Sequence, residues 1–305
     1  AVDAISREPL TAVNLTVDSD DGIDLGFLQV TTVIRALNKD TGDLKLNELA
    51  TGGDIQVLRV VQTKVGGTGK ILLSTEDGGI DIDTTGTGIS TVGSGVITIT
   101  AAGANKPITV EQPVSGTTGT ITLTATGTIT TSATISDSGV GNIALTSSSA
   151  GIVQGSPVTS AGGSITYNAS TTIAQNAAIN SSGGAISLTA GSSITMADGT
   201  TTTSVTGGAG GSISLSAGTN VALSILDSDG AASVTATSGT ISDNLTGEGA
   251  ANTNIRGGTT DVTLTAGAGI GTSAEEIDTL IAELTATLNT SGGICGCSGC
   301  SRIRS

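Results

Sequence analysis

The chain has 305 residues, a net charge of −15, no histidine, and only one Phe and one Tyr as aromatic residues. The acidity argues against nucleic acid as a partner, because phosphates need a basic surface. The missing histidine excludes every Ser–His or Cys–His nucleophile pair, and no apolar run reaches the length of a membrane-spanning helix.

Residues 1–41 are the least repetitive and hold the densest acidic run, Asp18-Ser19-Asp20-Asp21-Gly22-Ile23-Asp24. They read as an N-terminal cap and assembly segment, or as first irregular coils, since the ends of a repeat array are atypical. Asp18, Asp20, Asp21 and Asp24 offer oxygen ligands around a turn-making glycine, which suits calcium. The run lacks the closing Glu of the full calcium loop and equally fits an ordinary acidic turn. Asp227-Ser228-Asp229-Gly230 offers a weaker version.

From Gly42 the pattern changes to strict alternation. Leu44 and Leu46 are followed by Ile55 and Val57, then Ile71 and Leu73 by Ile80 and Ile82. Period two is the signature of a strand with one buried face. Asp81 and Asp83 fall on the outward side of one such strand. Two carboxylates can serve glycoside hydrolysis, but no aromatic or basic residue accompanies them, so they read as a solvated face and the chain as a non-enzyme.

The unit then becomes Gly119-Thr120-Ile121-Thr122-Leu123-Thr124-Ala125 and returns at Gly163, Gly184 and Gly211. The first inward residues, at 97, 121, 143, 165, 186, 213, 234 and 262, advance by 24, 22, 22, 21, 27, 21 and 28. A second apolar position follows at Ile108, Ile129, Ile152, Ile173, Ile194, Val221, Ile241 and Ile270, and a looser third near Ile135, Val158, Ile179 and Val205. Three strands per turn of about 22 residues predict a right-handed parallel β-helix, a β-solenoid of about 10 coils of roughly 21–28 residues. The shaft spans 42–294. Its core ladder is Ile121, Ile143, Ile165, Ile186, Ile213, Val234 and Val262, and glycine at the corners is read as serving positive φ. The longest steps place extra loops at about 198–210 and 244–258.

Residues 275–284 read as a loop or short helical turn before a last strand. A tail, 295–305, then breaks the pattern. Its Cys295, Cys297 and Cys300 supply three thiolates. They fit a soft-metal site, a cross-link between chains, or an incidental tail. No cofactor is required by any motif.

The repeated G-x-I-x-L-x-A units, with the segment from Ile277 to Ile294, resemble giant repetitive bacterial surface proteins of the filamentous-haemagglutinin-like type. The resemblance covers most of 42–294. It implies a secreted, extracellular β-helix at the cell surface, working as a fibre or as an adhesin toward a glycan or receptor. The open strand edges expected at both solenoid ends add a further expectation, head-to-tail self-assembly in which the N-terminal segment docks on coils 262–294 of the next copy.

Overall fold

The structure, a computed structural model, describes residues 9–205, 210–247, 253–257, 261–289, 293–295 and 303–304. It forms two compact units, Ala1–Ser156 and Pro157–Ser305. Each is a parallel β-solenoid, and no helix occurs among the described residues.

In the first unit, one face stacks Leu44–Glu48, Ile71–Thr75, Ile97–Ala101, Ile121–Ala125 and Ile143–Ser147. A second stacks Ile55–Val57, Ile80–Ile82, Ile108–Val110, Ile129–Thr131 and Ile152–Gln154. A third stacks Arg59–Gly67, Gly88–Gly93, Val114–Gly116 and Ile135–Asp137. Leu44, Ile71, Ile97, Ile121 and Ile143 lie in one register column, all fully buried. Burying such a side chain stabilises by about 1.5–3 kcal/mol. A slip of one residue would turn the whole column to solvent, so burial fixes the register.

The segment before Gly42 already belongs to this ladder. Ile23–Asn38 runs parallel to Leu44–Glu48, Ile55–Val57 and Arg59–Gly67 in turn, and Leu10–Ser19 lies parallel on it. One strand covers three faces, taking up a corner by a register shift between Leu25 and Leu28. The punctuation that marks later coils is therefore missing from the sequence here, although the coil is present.

In the second unit the first face is Ile165–Ala169, Ile186–Ala190, Ile213–Ala217, Ala232–Ala236, Asp261–Ala266, Glu283–Leu288 and, from within the tail expected to break the pattern, Ile303–Arg304, which pairs parallel with Leu284 and Thr285. The second is Ile173–Gln175, Ile194–Met196, Val221–Leu223, Thr240–Asp243 and Gly269–Ile270. The third is Val158–Ser160, Ile179–Asn180, Thr201–Ser204, Ile225–Ser228, Ile255–Arg256 and Thr279–Leu280. Ile173, Ile194, Val221, Ile241 and Ile270 form the expected second column.

Two ladder positions differ from the expectation. Ile165, Ile186 and Ile213 are stacked, but the next rung is Ala232, which pairs with Val262. Val234 sits one inward position on, between Leu215 and Leu264. Period two makes both residues inward, and the smaller alanine hid the true first rung. In the third column Thr202, fully buried against Ile179, takes the place assigned to Val205. Its hydroxyl donates to Gln175 Oε1 at 2.9 Å, so a polar residue sits inward at no hydrogen-bonding loss.

Some corner glycines serve positive φ as expected, and others serve a second need. Positive φ occurs at Gly162 and Gly183, but not at the glycines that open the repeat, Gly119 and Gly184. There a Cβ would overlap the backbone carbonyl of the preceding coil's glycine, Gly95 or Gly163. These corners need close backbone approach. Beside them in the second unit runs a buried serine column, Ser160, Ser181, Ser204 and Ser228. Ser160 Oγ accepts from Gly163 N–H at 2.8 Å, and Ser204 Oγ donates to the Gly211 carbonyl at 2.6 Å. They satisfy corner backbone groups that would otherwise be buried unpaired.

Tyr167 occupies the leucine column, in register with Leu188 and Leu215. It is fully buried, its hydroxyl has no partner, and burial pushes the phenol far above its ordinary pKa. Tyr167→Phe removes an unsatisfied hydroxyl while keeping the ring. It is expected to stabilise the protein by about 1 kcal/mol, read as a higher midpoint in thermal or urea unfolding. A lower midpoint would show that the hydroxyl is satisfied.

Candidate functional site

On the second face of the first unit, Ile80 and Ile82 point inward, which turns Asp81 and Asp83 outward on one side. Ile82 pairs with Val110, so Glu111 follows beside Asp83. One oxygen from each of Asp81, Asp83 and Glu111 lies within 4.8 Å of the others. Glu111 comes from the next coil, and the variable coil length here leaves no sequence sign of that meeting.

The environments of the two aspartates diverge. Asp83 accepts from the hydroxyl and the backbone N–H of Thr85 and from the side-chain amide of Gln56. These bonds, those of Thr85 first, hold its carboxyl below the ordinary value. Asp81 moves upward, first through partial burial and then through the charges of Glu111 and Asp83. Its Oδ1 has no hydrogen-bond partner. Beside it lies a cavity of about 320 Å³ lined by Thr31, Asp54, Gln56, Asp81, Pro107 and Thr109.

A carboxyl that favours its proton beside one that favours its charge is the asymmetry of an acid–base pair. Three carboxylate oxygens also suit a hard cation. The surroundings add nothing specific to either chemistry. No Lys or Arg pairs with the three among the described residues, and neither aromatic residue lines the cavity.

The N-terminal acidic run is arranged as ion pairs with the following coil. Asp18 meets Arg35 at 2.5 Å, Asp20 meets Lys39 at 3.3 Å and Asp24 meets Lys45 at 3.6 Å. Asp21 donates its backbone N–H to Ser19 Oγ. Among the described residues these aspartates do not gather three ligand atoms in one place. Exposed pairs of this kind are worth under about 1 kcal/mol each, yet they neutralise the oxygens that a calcium ion would use. The acids are plain in the sequence; their cationic partners lie about one coil away, with no local mark of the pairing.

In the second unit, Asp227 stands in register with Thr203 and Arg256, and with Asp229, Arg256 and Leu280 it lines a cavity of about 490 Å³. The described parts of the two long loops touch. Thr246 donates its N–H to Asp198 Oδ1 at 3.0 Å and its hydroxyl to Oδ2 at 2.6 Å, and Asn244 donates to the Met196 carbonyl at 2.6 Å. These bonds from Thr246 lower the Asp198 carboxyl. Residues 206–209, 248–252 and 258 of those loops lie outside the described residues. At the tail, the Cys295 thiol is free and half-buried and its N–H donates to the Ile270 carbonyl at 2.8 Å. Cys297 and Cys300 lie outside the described residues.

The other exposed feature is the first strand. Among the described residues Leu10–Ser19 pairs on one side only, with Ile23–Asn38. Leu10 shares the inward column of the fully buried Leu28 yet is 45% exposed, and Val13 is 71% exposed. No helix among the described residues is long and apolar enough to cross a membrane. Among known proteins, no family model, no curated protein and no solved structure matches the chain.

Proposed function

We propose that the chain is an extracellular structural β-solenoid that polymerises end to end into a fibre or surface filament. The observation that carries this reading is the one-sided strand Leu10–Ser19 with its exposed Leu10 and Val13. An unpaired edge offers N–H and C=O groups that pair with any compatible strand. In the second unit Leu280 is 60% exposed, on a strand that pairs only with Ile255–Arg256 among the described residues. Strand addition from the first coil of one copy to the last coils of another would satisfy both ends, with main-chain bonds for affinity and side-chain alternation for register. Repetition of such a heterologous contact gives an open filament. The acidic surface keeps the polymer soluble. Catalysis has no part in this reading.

A second reading, an adhesin segment, is supported by the tie between Asp198 and Thr246, which joins two loops into one surface. The double substitution Leu10→Lys with Val13→Lys separates the two readings. Lysines on an edge strand repel further pairing. The variant should keep the unfolding midpoint of the parent within a few degrees and lose filaments by light scattering and negative-stain microscopy. Polymerisation as in the parent, or a parent that stays monomeric at high concentration, would transfer the proposal to the adhesin reading.

A further inference from the structure

On the third face of the second unit, Leu226, Ile255 and Thr279 are stacked inward and buried. The next residue of each strand turns outward. Asp227, Arg256 and Leu280 therefore follow one another on successive coils, about 4.8 Å apart. A carboxylate, a guanidinium and an isobutyl group form one short column. With Asp229, Gly257 and Ile281 they line a cavity of about 490 Å³, which is within the size range of small-molecule sites.

Three features separate this cavity from an ordinary charged patch. Asp227 and Arg256 stand side by side with opposite charges, yet among the described residues neither forms an ion pair or a side-chain hydrogen bond. In the first unit, by contrast, Arg35, Lys39, Lys45, Lys64 and Lys106 each meet an aspartate. Arg256 Nε is also buried without a hydrogen-bond partner. The guanidinium is thus partly stripped of water with nothing in its place, which is costly, and an occupant that accepts its hydrogen bonds would recover that cost. Leu280, 60% exposed, adds an apolar wall directly beside the two charges.

We propose that this cavity binds a free α-amino acid with an aliphatic side chain, as its zwitterion. The ligand's carboxylate accepts from the Arg256 guanidinium, whose planar fork suits two oxygens. Its ammonium donates to the Asp227 carboxylate, and its side chain lies against Leu280. The two ionic groups of an α-amino acid hang from one carbon, about 3 Å apart, close enough to bridge opposite charges on adjacent coils. A simple anion would meet Asp227 and Asp229 beside its only cation, and a simple cation would meet Arg256. A neutral sugar would lack an aromatic platform, because no aromatic residue lines the cavity. The rigid ladder beneath pre-organises the two charges, which lowers the entropic cost of binding. The inference stands apart from end-to-end assembly, because it needs a single copy of the chain and no edge strand.

The test is isothermal titration calorimetry of the whole chain with L-leucine, which should give a saturable heat for one site. N-acetylleucine lacks the ammonium and leucine amide lacks the carboxylate. Each should bind at least about tenfold more weakly, because each gives up one charge-assisted hydrogen bond. Asp227→Asn and Arg256→Gln should weaken leucine binding to a similar degree, and Asp261→Asn, exposed on the first face, should leave it as in the parent. If Arg256→Gln fails to give the parent's circular dichroism, Arg256→Lys, which keeps the charge but loses the planar fork, serves in its place. No saturable heat with the parent, equal affinity for leucine and leucine amide, or unchanged affinity in the folded Asp227 and Arg256 variants overturns the proposal. So does binding of a neutral oligosaccharide that Arg256→Gln abolishes, without binding of leucine.

Discussion

Ile165→Asp is expected to unfold the second unit or to lower its stability by several kcal/mol. Ile165 is fully buried, in register with Ile186, which in turn meets Ile213. An ionised carboxylate there has neither water nor cation. The chain's positive charges lie before residue 107 and from Arg256 onward. The substitution loses about 2 kcal/mol or more of hydrophobic burial and adds the cost of an unpaired polar group, which the carboxyl limits by taking up a proton. Natural domains hold only about 5–15 kcal/mol in total, so the sum consumes a large share. The neighbouring substitution Thr166→Asp faces outward and should be near neutral, within about 0.5 kcal/mol. The pair isolates facing from composition. Urea unfolding followed by circular dichroism reads both, and equal midpoints for the two variants would mean that the register is wrong by one residue.

The architecture was legible because a solenoid writes its core as a repeat. Ile121, Ile143, Ile165, Ile186 and Ile213 could be placed from spacing alone, since each coil must bury its own Ile against neighbours with the same need. The placement failed where the signal was a size and not a polarity. Ala232 is a weaker hydrophobe than Val234, and both are inward. It failed again at Thr202, whose hydroxyl is satisfied inside by Gln175. The candidate sites were less legible for a different reason. Asp81 and Asp83 were visible as neighbours in one strand, but Glu111 reaches them only because Val110 pairs with Ile82. Asp198 and Thr246 meet across 48 residues. Such contacts depend on loop lengths between coils, and those lengths vary without pattern. The ion partners of Asp18, Asp20 and Asp24 were hidden in the same way.

Gly119→Ala should be strongly destabilising, and the reason distinguishes two roles of glycine in this fold. Were the repeat glycine needed for positive φ, alanine would suffer from its backbone conformation. Gly119 is not among the residues with positive φ. On backbone grounds alone, alanine would then gain about 0.4–1 kcal/mol by restricting the unfolded chain. Sterics oppose that gain. A Cβ at Gly119 would overlap the Gly95 carbonyl oxygen and stand 2.8 Å from the Ser94 carbonyl oxygen. Both obstacles are backbone, with no flexible side chain to swing aside. The same conflict recurs one coil on, where a Cβ at Gly141 would overlap the Gly119 carbonyl. Relief requires the coils to part at a corner held by the bonds from Ile97 N–H to the Thr120 carbonyl, 2.9 Å, and from Ile121 N–H to the Asn142 carbonyl, 2.8 Å. Overpacking of this kind costs about 1–3 kcal/mol where the structure can yield and more where it cannot, so the steric term wins. Gly52 is the opposite case, with φ of 71° and nothing within 4 Å of the place a Cβ would take. Gly52→Ala meets only the left-handed backbone penalty of about 1–2 kcal/mol. The expected order of stability is therefore parent, then Gly52→Ala, then Gly119→Ala. Unfolding midpoints of the three proteins decide it, and a Gly119→Ala variant as stable as the parent would mean that the coils do not approach as closely as the repeat glycines permit.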